Sequence, residues 1–549
     1  MKKEQLEKET PSLFSPIFLI TILVVSIFGA VIGVQLITSL GISANTSIIG
    51  ALLAIIIARI PITLFFKFKS IHTQNLLQTS ISAATFGAAN SLLIPIGIPF
   101  LLGRPDLIIP MFIGAFLALV VDAVLLYRFF DSKIFPASGV WPPGIATAES
   151  IKAGDEGGKK AGLLGAGIAG GIFGAWLGVP MSAFGVAFIG NIVALTMFGI
   201  GLLVRGYTEP LFGINIDALY IPHGFMVGAG LVALFQMIYI VIKGRKKNNP
   251  PTPPAEVAAA AQHMQDEIDG APESDETYTR SEKDMSKAFG YGFLAYLGVA
   301  LVLAVLGGVL TDMSFGMFIA YLLFAAFAAF IHEIIVGVAA MHSGWFPAFA
   351  VALITLVVGI LAGFPPVALA LLVGFSAATG PAFADMAYDF KTGYILRGNG
   401  KDREAELFGR KQQFKVGMFG FVIASIVVLL TFNYYFQQDL VPPVDRVYVA
   451  TIEAGVSTDI AKSLLIWAIP GAILQLIGGP KRQMGVLGAT GLLINFPIAG
   501  WAVLVGIAIR ASILKVFGKK AESAMYTTAA GFIAGDALFS FFNSVFKAK

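Results

Sequence analysis

The sequence predicts an all-α, polytopic integral membrane protein, with about sixteen transmembrane helices in two related halves. Three observations carry that prediction. Of 549 residues, 57% are apolar and 13% charged, with a mean hydropathy of +0.82, roughly half the charge of a soluble chain. Mostly apolar runs long enough to cross a bilayer recur along the whole length. Each half also closes on a similar text, Gly224-Phe225-x-x-Gly228-x-x-Leu231 in the first and Gly531-Phe532-x-x-Gly535-x-x-Leu538 in the second.

The amino-terminal MKKEQLEKETPS precedes an apolar run from Ile17 to Ile37. That run is too long for a signal-peptide core, so a retained first span is expected. Further spans follow near 46–66, 71–103, 107–130, 160–180, 182–204 and 219–243. Pro95 and Pro99 predict a bend near the end of the span 71–103. Between the fourth and fifth lies SGVWPPGIATAESIKAGDEGG, Ser138 to Gly158. Neither Pro142 nor Pro143 donates a backbone hydrogen bond, so Trp141 to Gly144 is expected to be non-helical. Irregular, charged backbone among spans is tolerated only outside the bilayer or around a protein-enclosed cavity. Residues 135–153 read as a re-entrant half-helix, which would make the number of crossings in the first half even.

From Lys243 the text KGRKKNNPPTPPAEV and the acidic residues after it read as a flexible cytoplasmic linker over 244–287. Its basic start beside a span argues for the cytoplasmic side. It divides a first transmembrane half, 1–243, from a second, 288–549. In the second half spans are expected near 289–311, 314–341, 344–363, 365–385, 413–436, 457–478, 482–498, 499–518 and 521–546. The polar stretch Asp385 to Gln413 answers the one at Phe135 to Lys160, and GLLVR ending at Arg205 answers GIAIR ending at Arg510. Paired interruptions in two halves are the best sequence pointer to a transporter's central site.

Several function classes fall away. No Walker A pattern occurs, which argues against direct ATP drive in this chain. Gly165-x-Gly167-x-x-Gly170 matches a dinucleotide fingerprint, but it lies in a span with no preceding strand. Gly170, Gly174 and Gly178 read instead as a helix-packing face. With zero cysteines there is no disulfide, thiolate metal site or cysteine nucleophile. The net charge of +4 gives no nucleic-acid footprint. An intramembrane hydrolase using His332, Glu333 and His342 would need a third well-spaced metal ligand, and HExxH is broken by Val336. A non-enzymatic transporter without cofactor or resident metal is the reading; a passive channel is a further class that saturable counterflow would exclude.

The two polar stretches resemble signatures of the oligopeptide transporter family, which includes the yellow-stripe-like branch. Trp141-Pro142-x-Gly144-x-Ala146-x-Ala148-Glu149-x-x-Lys152-Ala153-Gly154 is similar to its FPxGxAxAExLKAG text, and Asp389-Phe390-Lys391-Thr392-Gly393-Tyr394 to its DLKTGY text. Asn75-x-x-Gln78-Thr79-x-x-Ser82 resembles an early family helix, and the closing GFIAGDAL resembles GLIAGEAL. Pro143 departs from the acidic residue usual in the prokaryotic branch, and Val336 to Gly344 replaces a small polar run with apolar residues and His342. The resemblance implies a plasma-membrane secondary transporter importing small peptides, or peptide-like metal chelates, with protons. It leaves oligomeric state open.

The candidate residues follow from these stretches. Pro142, Gly144, Ala146, Glu149, Lys152, Asn75, Gln78, Asp389, Lys391, Thr392 and Tyr394 are candidate substrate-binding residues. Glu149 and Lys152 share a helix face and would bind the ends of a zwitterion, or each other, or sit as an interfacial pair. Gly144 and Ala146 serve by being small, either to a substrate or to a neighbouring helix. Lys391, Thr392 and Tyr394 either bind an anion or fix a loop. Asp385, His332, Glu333, Asp122 and Asp536 are candidate proton carriers, because ionisable groups inside a membrane are costly. Asp385 and Asp389 are four apart and would face together on a helix. Asp122 and Asp536 either relay protons or pair with a distant arginine. His332 and Glu333 form a coupling site, a buried structural pair or a metal contact. Arg205 and Arg510 read as helix ends.

Overall fold

The computed structural model describes residues 3–13, 15–41, 46–59, 68–139, 141–155, 159–246, 278–343, 348–455 and 457–547. Before the linker these form α1 Lys3–Glu9, α2 Pro16–Leu40, α3 Thr46–Arg59, α4 Ile71–Phe86, α5 Ile94–Leu101, α6 Ile108–Phe129, α7 Pro142–Asp155, α8 Lys159–Trp176, α9 Met181–Ile189, α10 Ile192–Phe212 and α11 Ile221–Lys246. After it come α12 Glu282–Leu306, α13 Phe315–Ser343, α14 Ala348–Leu361, α15 Pro366–Ala378, α16 Pro381–Leu396 and α17 Arg403–Gln437. The chain then continues through α18 Pro443–Ala454, α19 Thr458–Arg482, α20 Met484–Leu493, α21 Pro497–Phe517 and α22 Glu522–Lys547. The protein is all-helical, and most of the linker, 247–277, lies outside the described residues.

Among the described residues ten helical segments are long and apolar enough to cross a membrane, and four more are apolar but shorter. Six expected spans, 46–66, 160–180, 219–243, 344–363, 482–498 and 521–546, are not among the ten, and the four shorter helices, Gly162–Trp176, Ile221–Ala233, Ala348–Leu361 and Met484–Leu493, fall in four of them. The expected span 182–204 is two helices, α9 and α10, separated at Gly190. Pro95 and Pro99 lie within the short helix α5, which a π-helical segment, Gly87–Leu93, joins to α4. An added residue per turn in a helix interior is a recurrent mark of functional sites. Segments Ile71–Leu101 and Pro366–Leu396 are almost wholly enclosed by other helices. Helices α19 and α21 instead present Leu465, Ile469, Leu476 and Trp501 outward, an apolar surface that a lipid environment would cover.

The helices α8–α11 and α19–α22 repeat one set of contacts. Helix α8 packs along α22, while α19 packs along α11. Helix α9 lies against α21 and α22, while α20 lies against α10 and α11. Glycines permit both close pairings: a Cβ on Gly171 would stand 3.0 Å from the Gly535 Cα, and one on Gly224 would stand 2.6 Å from the Leu464 carbonyl. Such contacts need backbones without intervening side chains. The close face of α8 is therefore Gly167 and Gly171, one residue off the expected Gly170 and Gly174, which meet side chains of Phe532 and Met181.

One face of the molecule gathers α1, the start of α17 and the end of the linker. There Lys3 pairs with Glu404, and Thr279 donates to Asp131 at 2.6 Å. The opposite face holds the ends of α2 and α17 and the starts of α18 and α21.

Candidate functional site

The chain breaks at Thr379-Gly380, between two enclosed helices. Gly380 has φ of +91°, a conformation open to glycine and strained for other residues. Pro381 opens α16 at a position that needs no backbone donor. The new helix thus begins inside the protein with its amino-terminal N–H groups unsatisfied by its own turns. Asp122 of α6 supplies the acceptor: its Oδ2 receives the Gly380 N–H at 2.7 Å. A carboxylate at a helix amino terminus also meets the positive end of the helix dipole. Asp122 therefore pairs with a helix end and a hydroxyl, not with the distant arginine considered from sequence.

That hydroxyl belongs to Tyr296 of α12. It stands 2.5 Å from Asp122 Oδ1 and 2.8 Å from Glu333 Oε2, and all three residues are fully buried. A phenol has one hydrogen and can donate to one carboxylate at a time. The second contact is a hydrogen bond only when that carboxyl carries a proton of its own. The bridge therefore accommodates one proton shared by Asp122 and Glu333. Adjacent on α13, His332 places Nδ1 3.0 Å from the Ser376 hydroxyl, which reaches on to Thr355 at 3.3 Å. No group of three or more metal-ligating side chains occurs among the described residues.

Along α16, Asp385 and Asp389 face α4. Ser82 contacts both oxygens of Asp385 at 3.1 Å, and Gln78 donates to Asp389 Oδ1 at 2.5 Å. Asn75 orients Gln78 through a 3.1 Å bond. Gln413 of α17 donates to Thr79 and to the Asp389 carbonyl, and accepts from Arg397. Glu406 then joins Arg397 to Arg410 through buried ion pairs at 2.8 and 3.0 Å. Arg410 reaches the Phe130 carbonyl at 3.0 Å. The polar text Asp385 to Gln413 is thus partly a buried helix and partly a clasp that fixes it.

The two signature stretches meet. Thr392 donates to the Gly144 carbonyl at 3.0 Å, and Lys391 to the Ala137 carbonyl at 2.9 Å. Tyr394 lies with its ring centroid 5.3 Å from the Lys391 ammonium. A Cβ on Gly144 would fall 2.6 Å from the Tyr388 carbonyl. The expectation that Trp141 to Gly144 is non-helical needs correction, because α7 starts at Pro142. Both prolines fall in its first turn, where a missing N–H costs nothing. Trp141 just outside has φ of +40° and donates its N–H to the Met341 carbonyl at 2.9 Å. Ala146 is half-buried and Lys152 exposed, while the Glu149 side chain lies outside what is described.

A second helix break repeats the first device. Asp536 of α22 accepts the Ser182 N–H in the first turn of α9 at 2.6 Å. At the other end of α9, Arg510 donates to the Ala187 carbonyl at 3.3 Å and to the Gly190 carbonyl. This nine-residue helix is held by an acid at its positive end and a cation at its negative end. Arg205 instead pairs with Asp217 near the opposite face. Sequence reasoning did not find Tyr296, Glu406, Arg397 or Gln413 as members of the network. Arg397, Glu406 and Gln413 fall within the polar stretch Asp385 to Gln413, but a lone tyrosine on an apolar helix carries no signal.

The sequence matches the family model described as OPT oligopeptide transporter protein at residues 17–232 and 210–547. The chain belongs to the oligopeptide transporter family. No individual curated protein matches it significantly. This oligopeptide transporter is thus a multi-pass membrane protein in which one of the most enclosed segments, Pro366–Leu396, carries the second signature stretch and contacts the first.

Proposed function

We propose that this transporter imports short peptides together with protons, across the plasma membrane, with the linker face in the cytoplasm. The observation that carries the proton part is the Tyr296 hydroxyl between Asp122 and Glu333. Protonation of Asp122 weakens its hold on the amino terminus of α16, because a neutral acid interacts less with the helix dipole. Loss of the proton restores that hold. The two states of the carboxyl pair thus favour different placements of the helix that carries Asp385, Asp389 and Lys391, and a proton gradient biases which is populated. The basic residues Lys243 to Lys247 support the cytoplasmic placement. The small contacts of Gly144 with α16 support α7 and α16 moving as one body.

The test is uptake of labelled tri-alanine into proteoliposomes under an imposed pH gradient. Accumulation above the equilibrium level, abolished by a protonophore, is expected. Uptake that ignores the gradient removes the proton part of the reading.

A further inference from the structure

At the face opposite the linker ends lies a cavity of about 500 Å³, within the range of small-ligand sites. The ends of α2, α10 and α17 line it with the loop before α9, the start of α18, and α22. Its charged lining is Asp217, Asp439, Asp536, Arg205 and Arg446.

These charges differ in how firmly they are held. Arg446 is about one-third exposed and pairs at 2.7 Å with Asp439, which is 80% exposed. Such a surface pair is weak and exchangeable. Arg205 is more enclosed and paired with Asp217. Asp536 sits at the amino terminus of α9, 8% exposed. Beside it, Ser182 is 2% exposed, and its hydroxyl has no hydrogen-bond partner among the described residues. A buried hydroxyl without a partner is costly unless a ligand or water completes it. Asp536 and Ser182 thus offer acceptors for an ammonium group, and Arg446 offers a fork for a carboxylate.

We propose that this cavity is an entry site that takes a short peptide by its free ends, with the amino terminus on Asp536 and Ser182 and the carboxylate on Arg446. This rests on the peptide-transport reading and names how that peptide is recognised. The peptide carboxylate displaces Asp439 from Arg446, while the ammonium donates to Asp536 and to the Ser182 hydroxyl. Side chains point into the remaining volume without a charged partner of their own, so composition is read loosely and termini strictly.

The experiment measures binding of tri-alanine, N-acetyl-tri-alanine and tri-alanine amide to the purified full-length protein by thermal shift, alongside liposome uptake. Each blocked end should weaken binding to wild type by about tenfold, the loss of one charge-assisted contact. Asp536→Asn keeps an oxygen for the Ser182 N–H; it should lose discrimination against the acetylated peptide alone. Arg446→Gln should lose discrimination against the amide alone. Wild type that binds all three peptides equally overturns the proposal while leaving peptide transport intact. Discrimination that survives in both variants overturns it too. Wild type that neither binds nor takes up tri-alanine defeats the peptide-transport reading itself, and this site with it.

Discussion

Asp122 Oδ2 accepts the backbone N–H of Gly380 at 2.7 Å, so an acid on α6 caps a helix that begins inside the protein. The same carboxyl holds Tyr296 with its other oxygen. One group thus joins the break in the chain to the bridge that accommodates a proton.

Capping and proton carriage separate by substitution. Asp122→Asn keeps an oxygen for Gly380 and should cost less than about 1 kcal/mol of stability. Asp122→Leu leaves the buried N–H unpaired and should cost about 1–3 kcal/mol. Thermal denaturation in detergent checks the order, and equal losses for both variants contradict the capping role. The Asn variant should also lose the stimulation of uptake by an acid exterior.

Tyr296→Phe removes the hydroxyl between Asp122 and Glu333. Concentrative uptake should fall at least tenfold, while exchange of preloaded peptide across the membrane persists. Full gradient-driven accumulation in this variant would show that the bridge is not part of the coupling.

Gly144→Val should push α7 away from α16, since the first added atom already meets the Tyr388 carbonyl at 2.6 Å. Overpacking of this kind costs about 1–3 kcal/mol. Thr392→Val deletes the hydroxyl that the Gly144 and Tyr388 carbonyls share and should cost about 1 kcal/mol. A lowered melting temperature in the order Gly144→Val, then Thr392→Val, is expected. An unchanged melting temperature for Gly144→Val would show that the two signature stretches do not need this contact.

Glu406→Gln leaves two buried guanidinium groups without their shared carboxylate. Breaking a buried pair this way costs about 3–5 kcal/mol. The variant should fold poorly, with yield and melting temperature both reduced. Wild-type stability would mean that Gln413, Asp131, Phe130 and Thr279 suffice for the arginines.

Much of the fold was legible because it rests on period and composition. Gly224 and Gly531, which the sequence offers as matching closings of two halves, lie where α11 meets α19 and where α22 meets α8. The signature stretches were visible as polar text in an apolar chain, and their meeting through Thr392 and Gly144 follows. What stayed hidden depends on long-range placement. Nothing near Asp122 in sequence points to Gly380, 258 residues away. Nothing near Ser182 points to Asp536. The prolines at 142 and 143 misled locally, because the same missing N–H that breaks a helix interior suits its first turn. Hydropathy also could not divide α9 from α10, since both sides of Gly190 are apolar.

Proton movement during peptide uptake tests the central claim most directly. Proteoliposomes holding a pH indicator, with no gradient imposed, should acidify inside when tri-alanine is added outside, and Glu333→Gln should abolish the acidification while the protein stays folded. Peptide uptake by the wild type without any proton entering would contradict the account.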